Sequence, residues 1–322
     1  MTDAGSYNPL AATSSAAAPS QASASADTAP GAPGGAPGKE RNASLWADAG
    51  RELIRNPIFV ISSLVILVVM SMATMPWLWT STDPGVCPIT KGKDSPSAAH
   101  LFGNSVQGCD YYSHVIYGSG PSIAVAVMAT LGTLLLGGLT GILAGYYGRW
   151  VDMIISRFTD IVLGLPFLLG ALTLLSLMQI RSVWSVVFAL VFLGWPLTSR
   201  IMRASVIATK GMDYVAAARS LGASDSRIIF RHVLPNAIAP VIVVATIALG
   251  GYVGAEATLT FIGVGLRAPT VSWGVMITDG VRWVLSGYPH LLLIPVAFLV
   301  ATVLSFILIG DAARDALDPK LR

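Results

Sequence analysis

Six long stretches of this chain contain no Asp, Glu, Lys, Arg or His, and they limit its possible folds more than any other feature. They run from Asn56 to Thr82, Val115 to Gly148, Ile161 to Ile180, Ser182 to Ser199, Val233 to Ala255 and Leu291 to Gly310. A helix needs about 20 apolar residues to cross ~30 Å of hydrocarbon. Each stretch is rich in Leu, Ile, Val and Ala, and the fourth carries Trp184 and Trp195 where interfacial anchors belong. A seventh charge-free run, Ala4 to Ala26, is mostly Ala, Ser and Pro and is too weakly apolar to span. The pattern predicts an all-α polytopic membrane protein with six transmembrane helices.

Composition agrees. Only 11% of the 322 residues are charged and 54% are hydrophobic, whereas soluble domains carry about 25% charged residues. Twenty Lys and Arg against seventeen Asp and Glu leave +3, too small a bias to point to nucleic acid. Two cysteines exclude a disulfide-dense domain and a four-thiolate zinc site. Placing the N-terminus in the cytoplasm puts fifteen of the twenty basic residues inside and five outside. The positive-inside rule therefore sets both termini on the cytoplasmic side.

The chain divides into three parts. Residues 1–40 are an Ala/Ser/Pro/Gly tract that cannot bury enough apolar surface to offset ordering, so a disordered cytoplasmic tail is predicted. The tract lacks the basic start and apolar centre of a signal peptide, so the first span is expected to be retained. Residues 41–114 hold a short amphipathic stretch, the first span and an external loop. Leu45, Trp46, Ala49 and Leu53 share one face of that stretch. It reads either as a helix lying on the membrane surface or as an extension of the span. The loop carries Cys87 and Cys109, which either pair in an oxidising compartment or stand as free thiols. Residues 115–322 form the main transmembrane domain. Within it Gly137, Gly141 and Gly145 recur every four residues, a small-residue face for close helix packing within the subunit or against another.

Catalytic signatures are missing. No GxxxxGK[ST], HExxH or GxSxG run occurs, and the four histidines are scattered. No metal ligands or catalytic residues are assigned, and no cofactor is expected on this chain. The six windows also lack the intramembrane charges common in ion-driven carriers. Glu256, at the outer end of the fifth span, is the nearest such residue and reads either as a helix-end side chain meeting water or backbone or as a residue with a transport role.

The segment 200–236 is much longer than a connection requires. In DYVAAARSLG, Tyr214, Ala217, Ala218 and Leu221 fall on one helical face, with Asp213 suited to the helix start and Gly222 to its stop. A second short helix from Ser224 would present Ile228, Ile229 and Val233, and Pro235 fits the first turn of the next span. The apolar face either packs on the chain's own spans or docks a cytoplasmic partner.

The stretch DYVAAARSLGASDSRIIFRHVLPN resembles the EAA loop of binding-protein-dependent ABC importer permeases. Ala217, Ala218, Gly222, Leu234 and Pro235 stand at the family spacing, while Ala216 replaces the usual Glu and His232 the usual Ile. RNPIFVISSLVILVV, LAGYYGRWVDMIISRFTDIVLGLP, LTFIGVGLRAPTVSWGVM and GDAARDALDPKLR resemble further segments of the second permease of dipeptide/oligopeptide importers, in order. Gly108, Cys109 and Asp110 stand where that family commonly reads Gly-Arg-Asp, which supports pairing of Cys109 with Cys87.

The resemblance implies a type I importer permease fold, MetI-like, in a bacterial inner membrane. It implies a homologous partner permease, two cytoplasmic ATPase subunits that carry ATP and Mg, and an external peptide-binding protein. The docking surface would comprise Asp213, Tyr214, Ala216, Ala217, Ala218 and Arg219, followed by Leu221, Gly222, Ala223, Arg227, Leu234 and Pro235. Nickel-chelate and glutathione importers share these motifs, and a stand-alone carrier or channel is the alternative of another class. The residues lining a pathway are not assigned.

Overall fold

A computed structural model describes residues 45–87, 92–98 and 100–317, with the side chains of 45–49 and 317 excepted. The tail of residues 1–40 lies outside them, as do the last five residues of the C-terminal motif. The described chain is helical. It begins with α1 (Leu45–Arg55) and α2 (Pro57–Thr74). Between them Asn56 is extended, at φ −79° and ψ 114°, and its side chain accepts hydrogen bonds from the N–H groups of Ile58 and Phe59. This cap, with Pro57 in the first turn, makes α1 a separate helix and not an extension of the span. The first charge-free window outlasts its helix: α2 stops at Thr74, and Pro76 opens a 3₁₀ turn, Pro76–Leu78.

Next come α3 (Tyr111–Tyr147), α4 (Arg149–Leu163), α5 (Phe167–Met178) and α6 (Val183–Lys210). The third predicted span is bent. Its window covers the end of α4, the break Gly164–Leu165–Pro166 and α5, and the two helices meet at 88°. A residue before proline is driven out of the α region, which stops α4 where the window still reads as apolar. Among the described residues, five helices are long and apolar enough to cross a membrane, or six if this bent pair is one span.

The remaining helices are α7 (Asp213–Ser220), α8 (Asp225–Ile228), α9 (Leu234–Ala237), α10 (Ala239–Phe261), α11 (Trp273–Gly280) and α12 (His290–Leu317). A π-helical turn, Ile229–Val233, joins α8 to α9.

The spine is α3, whose 37 residues reach about 55 Å at 1.5 Å each. It packs most extensively on α6, and the reason is glycine. A Cβ added at Gly137 would lie 2.6 Å from the Trp195 carbonyl oxygen, and one at Gly145 would lie 2.8 Å from Val206. The small-residue face thus serves packing inside this chain, where backbones can approach because no side chain intervenes. The same contact corrects the placement of Trp195, which is buried against α3, whereas Trp184 is 69% exposed. The spine also contacts α10 and α2, and α12 packs against both of these.

Three apolar clusters follow the spine. One end gathers Val69, Met72, Tyr111, Val115, Trp273 and Leu291. The middle gathers Val125, Leu175, Val186, Leu190 and Leu259, and the far end gathers Tyr146, Met202, Val206 and Val241 with residues of the 200–236 segment.

Candidate functional site

The far end of the spine carries the segment singled out in the sequence, and the fold revises its extent. Residues Arg200 to Lys210 belong to α6 and are not loop. The two arginines there meet facing carboxylates. Arg203 donates to both oxygens of Asp152 at 2.5 and 2.6 Å, and Arg200 pairs with Asp160 at 2.5 Å. These pairs attach α4 to α6.

What remains outside is a hairpin of short helices. Asp213 opens α7, where its charge suits the helix N-terminus. Gly222 follows the end of α7 at φ +79°, the left-handed conformation that glycine adopts without strain. There the Ala223 N–H bonds the Ala218 carbonyl at 3.1 Å. Ser224 is extended and precedes α8. Pro235 sits in α9, and the span α10 begins only at Ala239, after a break at Ile238. Its placement in the first turn of the span is therefore corrected. Pro240 takes that position in α10.

Burial separates the two readings of the apolar face. Tyr214 is 44% exposed and Leu221 is 88% exposed, and Ala216 and Ala217 are also exposed. The side chain that packs inward is Val215, 1% exposed, which joins Ile228, Ile229, Val233, Met202, Val206 and Val241. The stripe Tyr214, Ala217, Ala218 and Leu221 is therefore not the face α7 buries in its own chain. Sequence periodicity missed Val215 because an eight-residue helix makes barely two turns, and the larger stripe dominated the pattern. The only available signal was its place opposite Ile228 and Val233, across a turn at Gly222.

Polar contacts hold the hairpin to the spine. Tyr146, at the end of α3, donates to Asp225 at 2.6 Å, and Arg219 donates to the Tyr146 hydroxyl at 3.4 Å. Lys210 donates to the Tyr146 carbonyl, and Ser205 to the Ala237 carbonyl at 2.8 Å. Arg227 is exposed and Leu234 half-buried. The result is a short helix on a packed base with its apolar stripe facing outward. Such a rigid element suits docking into a groove.

At the opposite end a cap covers the helices. Cys87 and Cys109 are bonded in a disulfide. Asp110 caps α3, accepting from the Ser113 N–H at 2.9 Å and its hydroxyl at 2.8 Å, with His100 Nδ1 at 3.2 Å. The ammonium of Lys93 lies 3.7 Å from the centroid of the Trp283 ring. Between the disulfide and α11 lies a mainly apolar cavity of about 760 Å³. Glu256 lies near this cap and departs from its sequence reading: it is 0% exposed, and its carboxyl accepts from three hydroxyls. Among the described residues no group of three or more His, Cys, Asp or Glu is placed to hold a metal ion.

The chain matches two protein families. Residues 137–322 match the one described as "Binding-protein-dependent transport system inner membrane component", and residues 44–87 match "N-terminal TM domain of oligopeptide transport permease C". It is 35% identical over 279 residues to the dipeptide transport system permease protein DppC of Alkalihalophilus pseudofirmus, covering 87% of this chain and 91% of that one. It is 32% identical over 283 residues to the oligopeptide transport system permease protein OppC of Bacillus subtilis, covering 88% and 92%. The glutathione transport system permease protein GsiD of Pectobacterium atrosepticum is 31% identical over 278 residues, covering 86% and 92%. In fold, the chain is similar to a structure of the inward-facing MetNI methionine ABC transporter. The TM-score is 0.50 at 19% identity, over 63% of this chain and 95% of the other.

Proposed function

Because this chain belongs to the OppC/DppC-type permeases of binding-protein-dependent ABC transport systems, we propose that it forms half of the membrane pathway of an ATP-driven di- and oligopeptide importer. Membership makes it a multi-pass inner-membrane transport component and not an enzyme. The other half would be a homologous partner permease. Two cytoplasmic ATP-binding subunits would hold ATP and Mg, and an external binding protein would deliver the peptide.

The observation that carries this reading is the outward-facing stripe of α7 on its packed base. Leu221 and Tyr214 expose apolar surface at the end of the molecule where the basic residues gather. Burying them in a groove of an ATP-binding subunit would remove that surface from water, and the neighbouring alanines allow a close approach. Val215 and the Tyr146–Asp225 bond make the hairpin stiff enough to pass a displacement to α10. ATP-driven closure would then move α7 as a rigid element and tilt the bundle from inward- to outward-facing.

Purification with co-expressed ATP-binding subunits tests the docking. Leu221→Asp should abolish their co-purification and peptide uptake while membrane insertion is unchanged. Continued association of the ATP-binding subunits with that variant would remove the docking reading. Peptide and glutathione uptake measured side by side decide the substrate, since relatives of similar identity carry either name.

A further inference from the structure

The carboxyl of Glu256 on α10 collects three hydroxyl groups. Oε1 accepts from Thr260 at 3.0 Å and from Ser272 at 3.1 Å, and Oε2 accepts from Ser122 at 3.1 Å. Each hydroxyl also accepts a backbone N–H: Leu266 on Thr260 at 3.0 Å, Val275 on Ser272 at 3.2 Å and Trp273 on Ser122 at 3.2 Å. A hydroxyl that accepts an N–H keeps its one hydrogen to give, and the carboxyl takes it. One side chain on α10 thereby joins the spine α3 to the N-cap of α11, and through Thr260 it reaches Leu266 in the turn after α10. A Cβ at Gly274 would sit 2.9 Å from Ala257 Cα and 3.1 Å from Glu256 Oε1, so α11 lies against α10 as only glycine permits.

The two ends of α10 meet different machinery. Near its start, Val241 is packed with Val215, Ile228 and Val233 in the core of the hairpin. Glu256 lies fifteen residues further on, about 22 Å along the helix. Beyond it, α11 supplies Val275, Met276 and Asp279 to the wall of the outer cavity, facing the Cys87–Cys109 side.

We propose that Glu256 is a positioning residue of the transport cycle. It clamps α11 to α10, so that a displacement imposed on α10 at the hairpin reaches the wall of the outer cavity. This role rests on the docking of α7 proposed above.

The test uses the complete transporter in lipid nanodiscs with its binding protein. Spin labels are placed at Phe261, on the exposed end of α10, and at Leu285, a fully exposed side chain in the turn after α11. In the parent protein their separation should be narrow and the same with and without trapped ATP. Glu256→Leu should broaden it and make it nucleotide-dependent. Peptide transported per ATP hydrolysed should fall about tenfold in that variant, within the usual range of coupling between sites, with hydrolysis itself retained.

Glu256→Gln, which keeps the Oε1 acceptor for Thr260 and Ser272, should restore most of both readouts. Ser122→Ala, which removes the Oε2 donor together with the acceptor of the Trp273 N–H and leaves Thr260 and Ser272 on Oε1, should give a weaker form of the same defect. If Glu256→Leu fails to assemble, the Gln and Ser122→Ala variants decide by the same measurements. Parent-like separation and parent-like transport per ATP in every assembled variant would overturn the proposal. Failure of the docking reading would look different: the parent protein itself would show no ATP-dependent change at α7.

Discussion

Tyr146 and Asp225, 79 residues apart in sequence, share a 2.6 Å hydrogen bond that ties the end of the spine helix to the start of α8, the second helix of the hairpin. The hairpin contributes few buried side chains, so one such bond is a large share of what holds it. Tyr146→Phe keeps the packed ring and removes the donor. Losing a hydrogen bond of this kind costs about 1 kcal/mol, or roughly fivefold in a local opening equilibrium. Amide hydrogen exchange over 213–225 should accelerate by about that factor, with exchange in the middle of α3 unchanged.

The α3–α6 contact predicts a contrast between neighbouring glycines. A Cβ at Gly141 would meet the Ser199 carbonyl oxygen at 2.6 Å and Met202 Cβ at 2.7 Å, whereas one at Gly138 would meet only the Met202 methyl, at 3.8 Å. Gly141→Ala should therefore cost about 2 kcal/mol as overpacking. Gly138→Ala should be neutral or gain up to about 1 kcal/mol from helix propensity. Thermal unfolding of the two purified variants checks the order, and equal midpoints would contradict the packing described.

Opening the Cys87–Cys109 bond releases a loop closed across 22 residues of sequence. In the chain-entropy account this removes about 3 kcal/mol from the cap. The paired Cys87→Ser and Cys109→Ser variant should show faster limited proteolysis between residues 92 and 110. Cleavage in the connections on the hairpin side should not change.

Asp110 predicts an acid-sensitive cap. Burial raises its carboxyl, but the Ser113 N–H and hydroxyl bonds and the facing His100 outweigh this and hold it below the ordinary carboxylate value. A carboxyl lowered in the folded state contributes stability that is complete above its unfolded pKa of about 3.9. That contribution is lost as pH falls through the lower folded value. Asp110→Asn keeps the helix cap and removes the titration. The variant should be less stable than the parent above about pH 4 and converge with it at lower pH, as followed by proteolysis of the cap.

The sequence by itself determined the spans and the hairpin. Lipid and helix geometry impose their demands locally, so charge-free windows place α2, α3, α6, α10 and α12 within a few residues of their apolar cores. The hairpin helix was legible because Asp213 and Gly222 mark a start and a stop through their own charge and backbone freedom. Tertiary structure decided the rest. Which face of α7 turns inward depends on Ile228 and Val233 arriving opposite Val215, which two helical turns of periodicity do not encode. The break at Gly164–Pro166 became an 88° bend, so one apolar window holds two helices. Glu256 is the sharpest case. Read alone it is a polar residue at a helix end, yet Ser122, 134 positions away, and Ser272 bring it the donors that let it be buried. A buried polar group is stable only where distant parts of the chain supply its partners, and sequence spacing carries no record of that meeting.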